Sequence, residues 1–193
     1  MNASPHTLTL PSPIVSARAA GDRMATVSRI AAAIAAAGFS FLIASVWLAP
    51  DMLTNLPGYA ALLRSQAQVT MGPGASLVLT LVLLCHAALA VGALVALARS
   101  FAAMARDEPL NEEAVSWLRR AGLLVLTGVV ASILLQVPAS AALTWSNLPG
   151  MRTIAISLGS GQLAGAIGGG ALLALSRILH WAVVVRCDHR EII

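Results

Sequence analysis

Four long apolar stretches, separated by short polar ones, dominate the chain. The first, Ile30–Pro50, reads "IAAAIAAAGFSFLIASVWLAP"; it follows Arg29 and closes on Trp47 and Pro50, an interfacial aromatic and a helix-stopping proline. The second spans Ala75 to Ala98 and is closed by Arg99; the third runs from Ala121 to Trp145, and the fourth from Leu163 to about Val185. Each approaches or exceeds the roughly 20 apolar residues that cross a bilayer as a helix. The pattern predicts an all-α polytopic membrane protein, an antiparallel bundle of four transmembrane helices at about 30–50, 75–98, 111–145 and 163–187. The first stretch also invites reading as a signal peptide. Its long polar leader and its length, beyond that of an ordinary signal core, favour an uncleaved helix.

The polar stretches refine the plan. Residues 1–28 contain Pro5, Pro11 and Pro13 and read as a disordered cytoplasmic tail. Pro138 is expected to kink the third helix or end it early. The most charged segment, "RSFAAMARDEPLNEEAVSWLRR", lies between the second and third stretches. Within it Asn111 is a candidate N-cap, with Glu112 and Glu113 in the first turn where negative charge suits the helix dipole. The third helix is therefore expected to begin outside the bilayer near Asn111. It would enter at Arg119 and Arg120, with Val115, Trp117 and Leu118 as an amphipathic collar.

Composition agrees: 58% of residues are hydrophobic and 10% charged, with a mean hydropathy of +0.83, outside the range of soluble domains. The net charge of +4 and pI of about 10.5 raise the question of nucleic acid. Yet the chain has no Lys, and its Arg residues sit at the edges of apolar runs, so direct nucleic-acid binding is not expected. Those arginines act instead as topology signals. Arg18, Arg23, Arg29, Arg99, Arg106, Arg119, Arg120, Arg177, Arg186 and Arg190 fall on one side of a four-span drawing, and only Arg64 and Arg152 on the other. By the positive-inside rule both termini and the central segment are cytoplasmic, and a bacterial inner-membrane location is expected.

Small residues recur at helical spacing. Gly161, Gly165 and Gly169 lie four apart, as do Ala88, Gly92 and Ala96; the third stretch has Gly128 and Ser132, and the first has Ala33 and Ala37. Such stripes let helices approach closely in lipid. They serve either the bundle itself or a homodimer through Gly161, Gly165 and Gly169. Polar groups within the spans are few. Ser40, Cys85 and His86 fall at similar depth and form a candidate intramembrane polar cluster. His86 could be satisfied by Ser40 or by a backbone carbonyl, or it could line a sensing site. Gln136 is expected to join helices by hydrogen bonding. Arg177 should either snorkel to the surface or pair with Glu108, Glu112 or Glu113, with His180 and Trp181 at the interface. The spans hold no Asp or Glu, Cys85 and Cys187 lie at different depths, and no metal spacing is present. No catalytic residue, cofactor or metal is assigned, and a non-enzymatic protein is expected.

Pro109, Asn111, Leu118, Arg119 and Gly122, with the ending "LSRILHWAVVVRCDHREII", give the chain a resemblance to a bacterial family of four-helix membrane proteins known as domain of unknown function 2975. The resemblance covers about residues 30–193; Leu110 stands where that family has an aromatic. Many members are encoded beside a Cro/CI-type helix-turn-helix regulator. The resemblance thus implies a membrane regulator or sensor that engages such a cytoplasmic transcriptional regulator, with Asn111, Glu112, Glu113 and Arg119 as the candidate partner surface. A small transporter or channel component, or an accessory subunit, is the alternative.

Overall fold

The computed structural model describes residues 13–49, 72–106, 111–145, 152, 154 and 156–190. Among them are five helical segments and no strand: α1 (Pro13–Leu48), α2 (Pro73–Arg106), α3 (Glu112–Leu134), α4 (Gln136–Thr144) and α5 (Ser160–Arg190). α3 and α4 form one span, giving four helices long and apolar enough to cross a membrane: Ala19–Leu48, Pro73–Arg106, Glu112–Thr144 and Ser160–Val185. The exterior is apolar in the manner of a lipid-facing surface. Phe41, Leu81, Leu134 and Ile167 are all more than 60% exposed, which water would penalise and hydrocarbon does not. Trp117 and Trp145 stand about 28 residues apart on the α3–α4 span, roughly 42 Å at helical rise. That matches a bilayer measured between its interfacial zones, where Trp collects.

Contacts at both ends of each helix pair fix the topology as an antiparallel four-helix bundle. α1 meets α2 where Gly21 lies against Ala105, and again where the Trp47 Nε1–H donates to Thr80 Oγ1 at 3.0 Å. α2 meets α3 where the fully buried Ser100 donates to the Ala114 carbonyl at 2.8 Å. At the other end Val46, Ala75, Leu79 and Leu143 form a small core of α1, α2 and α4. α3 meets α5 along Gly122, Gly165 and Gly169. The start of α1, the end of α2, the start of α3 and the end of α5 therefore lie at one end of the bundle.

The observed helices are longer than their apolar runs, which corrects the expected tail. Residues 13–28, read as disordered, are helical; residues 1–12 lie outside the described residues. Pro13 suits the first position of a helix, where its fixed φ is already helical and no N–H is required. The extension has a partner because α2 itself runs to Arg106 rather than to 98. Ala25 and Ser28 are buried, and a Cβ at Gly21 would lie 3.0 Å from that of Ala105. This contact joins small residues, so no apolar run announces it.

The third span is broken, as Pro138 requires. Proline has no N–H for the Leu134 carbonyl four residues earlier, and its ring crowds that carbonyl. α3 ends at Leu134, Leu135 is a turn, and α4 resumes at Gln136. The freed space is used by the chain leading into α5. Gln136 Nε2 donates to the carbonyls of Ser132 (2.9 Å) and Ser157 (3.1 Å), and its Oε1 accepts from Ser157 N (2.6 Å) and Ser157 Oγ (3.2 Å). Gln136 lies about 24 Å along the span from Arg120, inside a hydrocarbon core of about 30 Å. Irregular backbone is tolerated at that depth only when protein satisfies it, and Gln136 does so.

Helix packing follows a row: α1 on α2, α2 on α3 and α4, α3 on α5. α5 is seated principally on α3. Its glycines decide how closely. A Cβ at Gly165 would stand 2.7 Å from Val129 Cγ2, and one at Gly169 2.9 Å from Leu126 Cδ2. Those two glycines are thus committed within the chain, whereas Gly161 has no such neighbour within 4 Å.

Candidate functional site

A cleft of about 470 Å³ opens where α5 leans on α3 and leaves the faces of α1 and α2 uncovered. Its walls are mostly aliphatic, with Phe39 contributed by α1; Leu97, Ala121, Leu124 and Leu172 lie toward the end where α3 begins. His86, Ser132 and Gln162 line it toward the other end. They share a level because α2 and α5 both run antiparallel to α3.

Each polar group in the cleft is partly occupied by its own helix. The His86 Nδ1 lies 2.8 Å from the Val82 carbonyl. A carbonyl only accepts, so Nδ1 carries a proton, and in the neutral ring Nε2 is left as an acceptor. Ser132 donates to the Val129 carbonyl at 2.8 Å, leaving its oxygen as an acceptor. Gln162 Oε1 accepts from Gly159 N at 2.8 Å, leaving its amide nitrogen as a donor.

The cluster expected from sequence does not converge. Ser40 lies at the depth of His86 but is exposed on α1 and donates to the Ala36 carbonyl at 2.8 Å. Cys85 is a free, exposed thiol. Of the three, only half-buried His86 reaches the cleft, and a backbone carbonyl satisfies it. Ser132 and Gln162 replace the other two. An amide at the head of an apolar helix was the available signal for Gln162.

The charged end is built more rigidly. Asn111 is the N-cap of α3 (φ −114°, ψ 137°), and its Oδ1 accepts from Glu113 N at 3.0 Å. Ala114, Val115 and Leu118 are buried, and Ser100 bolts the first turn to α2 through the Ala114 carbonyl. Glu112, Glu113 and Arg119 are consequently exposed on a fixed framework. Arg177 is exposed and forms no ion pair with Glu112 or Glu113; Glu108 lies outside the described residues. Sequence reasoning missed one feature here. The guanidinium carbons of Arg99 and Arg120 lie 4.7 and 4.6 Å from the Trp117 ring centroid. The three-residue spacing of Trp117 and Arg120 was its trace in the sequence.

Among the described residues no group of three or more His, Cys, Asp or Glu side chains is placed to hold a metal ion. No family model, curated protein or solved structure matches the chain.

Proposed function

We propose that this is a non-enzymatic, multi-pass protein of the bacterial inner membrane that regulates or senses by engaging a cytoplasmic partner at the start of α3. The observation that carries the reading is the pre-set display of Glu112, Glu113 and Arg119. Their backbone is capped by Asn111 and bolted by Ser100, while the three charged side chains are exposed without ion pairs among the described residues. A surface held this way loses little conformational entropy on docking. Arg23, Arg29, Arg99, Arg106, Arg119, Arg120 and Arg177 share this end, and Arg152 lies at the other. By the positive-inside rule this supports a cytoplasmic location for both termini. The resemblance to the four-helix family supplies the partner class, a helix-turn-helix regulator. Self-association through α5 would leave this surface free.

A photocrosslinker at position 113 in living cells tests the reading. It should retrieve a soluble helix-turn-helix protein, and charge reversal by E112R or R119E should abolish retrieval while membrane insertion is unchanged. Retrieval that survives both reversals, or no cytoplasmic partner at all, overturns it. The cleft beside His86 favours a second reading as a transporter or channel component; a water path through the cleft to both bilayer faces would support it.

A further inference from the structure

Arg99 ends the apolar part of α2, and Arg120 lies one turn beyond Trp117 on α3. Trp117 is half-buried where the helices enter the bilayer, and both guanidinium groups lie on its ring. Among the described residues, neither arginine has a carboxylate within ion-pair distance or donates a side-chain hydrogen bond. Two like charges are therefore held on one indole with no counter-charge among the described residues. Attraction to the ring face uses the charge of a guanidinium and not its N–H donors, which stay available for other partners. Such donors match the oxygens of a phosphate.

The apolar cleft begins directly below. Trp117, Arg120, Ala121 and Leu124 share one stripe of α3, and Ala121 and Leu124 line the cleft beside Leu97 of α2. From Leu97 to His86 it follows α2 for about 16 Å, from the interface toward mid-depth. A phospholipid has the same polarity in the same direction, with a phosphate at the interface and a chain running inward. We propose that the chain binds one anionic bilayer phospholipid, with its phosphate on Arg99 and Arg120 over Trp117 and one acyl chain in the cleft toward His86. This does not depend on the partner surface at Glu112 and Glu113.

The purified full-length protein in neutral detergent tests this by thermal unfolding with added lipid. Mixed micelles containing phosphatidylglycerol should raise the midpoint, and phosphatidylcholine should raise it much less. R99Q/R120Q should weaken the phosphatidylglycerol effect about thirtyfold in half-saturating concentration, while R99K/R120K should keep an intermediate effect. A93F, placed in the cleft wall, should weaken binding of both lipids with the arginines intact; circular dichroism checks that each variant is folded. Equal protection by the two lipids, or an undiminished preference in R99Q/R120Q, overturns the proposal. Equal protection by glycerol phosphate would reduce the site to a simple anion site, and stronger protection by a poly-glutamate peptide would assign it to an acidic protein. Either result also overturns the proposal.

Discussion

Gln136 and Ser157 bond in both directions across 21 residues of sequence, the carboxamide giving a hydrogen to the Ser157 carbonyl and taking one from its N–H. One side chain thereby satisfies both backbone polar groups of a non-helical residue within the depth of the span. Replacing Gln136 with Met keeps the bulk and removes all four of its hydrogen bonds. Gln136→Met should lower stability by about 1–3 kcal/mol, the usual penalty for stranding buried polar groups. Chemical unfolding in mixed micelles would measure it; an unchanged midpoint would mean the segment finds other partners.

The glycines of α5 should separate sharply under alanine substitution. At Gly165 the new methyl would meet Val129, whose β-branched side chain has essentially one rotamer in a helix. Gly165→Ala should cost about 1–3 kcal/mol as overpacking. Gly169→Ala should cost less, because Leu126 can move aside. Gly168 has nothing within 4 Å, so Gly168→Ala should be neutral or stabilising, by up to about 1 kcal/mol from helix propensity. A dimer built on Gly161, Gly165 and Gly169 would instead show concentration-dependent loss of association in the same variants.

At the charged end, Asn111→Ala should cost about 1 kcal/mol through the lost cap, and Asn111→Asp very little. Hydrogen exchange at the Glu113 amide reports it locally, since that N–H is the one Asn111 accepts.

Thiol labelling tests the membrane frame. With Cys187 replaced by Ser, Cys85 should resist a charged maleimide in intact cells and react once the protein is unfolded in denaturant, because a thiol within an apolar span meets neither the reagent nor the water that stabilises the reactive thiolate. In a cysteine-free background, R152C should react with the charged reagent from outside the cell and E112C only after lysis. The reverse pattern would invert the orientation proposed above.

Apolar run length made the four spans legible, and the cap was written plainly in Asn111 followed by two glutamates. The helical extension over residues 13–28 was hidden because small side chains carry it: Gly21 and Ala105 touch without raising hydropathy. Depth along each helix was also legible, since 1.5 Å per residue placed Ser40 near His86. Rotation about each helix was not. An Ala-rich helix has no strong apolar stripe to reveal which side faces inward, so Ser40 and Cys85 turned outward while Ser132 and Gln162 turned in. The Arg99 stack on Trp117 depends on how α2 and α3 meet, which no local pattern encodes.

The row-like packing sets an order of departure. α1, α2 and the α3–α4 span are fastened to one another at both ends, by Gly21 on Ala105, by Ser100 and by Trp47 with Thr80. Among the described residues α5 is tethered by side-chain hydrogen bonding only through Gln136 to Ser157, just before its start, and otherwise fits by shape along Gly122, Gly165 and Gly169. Pulled from its C-terminus, the chain should surrender α5 as a unit while the other three spans stay together. The wall of the cleft is thus also its most detachable part, and whatever fills the cleft gains a direct hold on that helix.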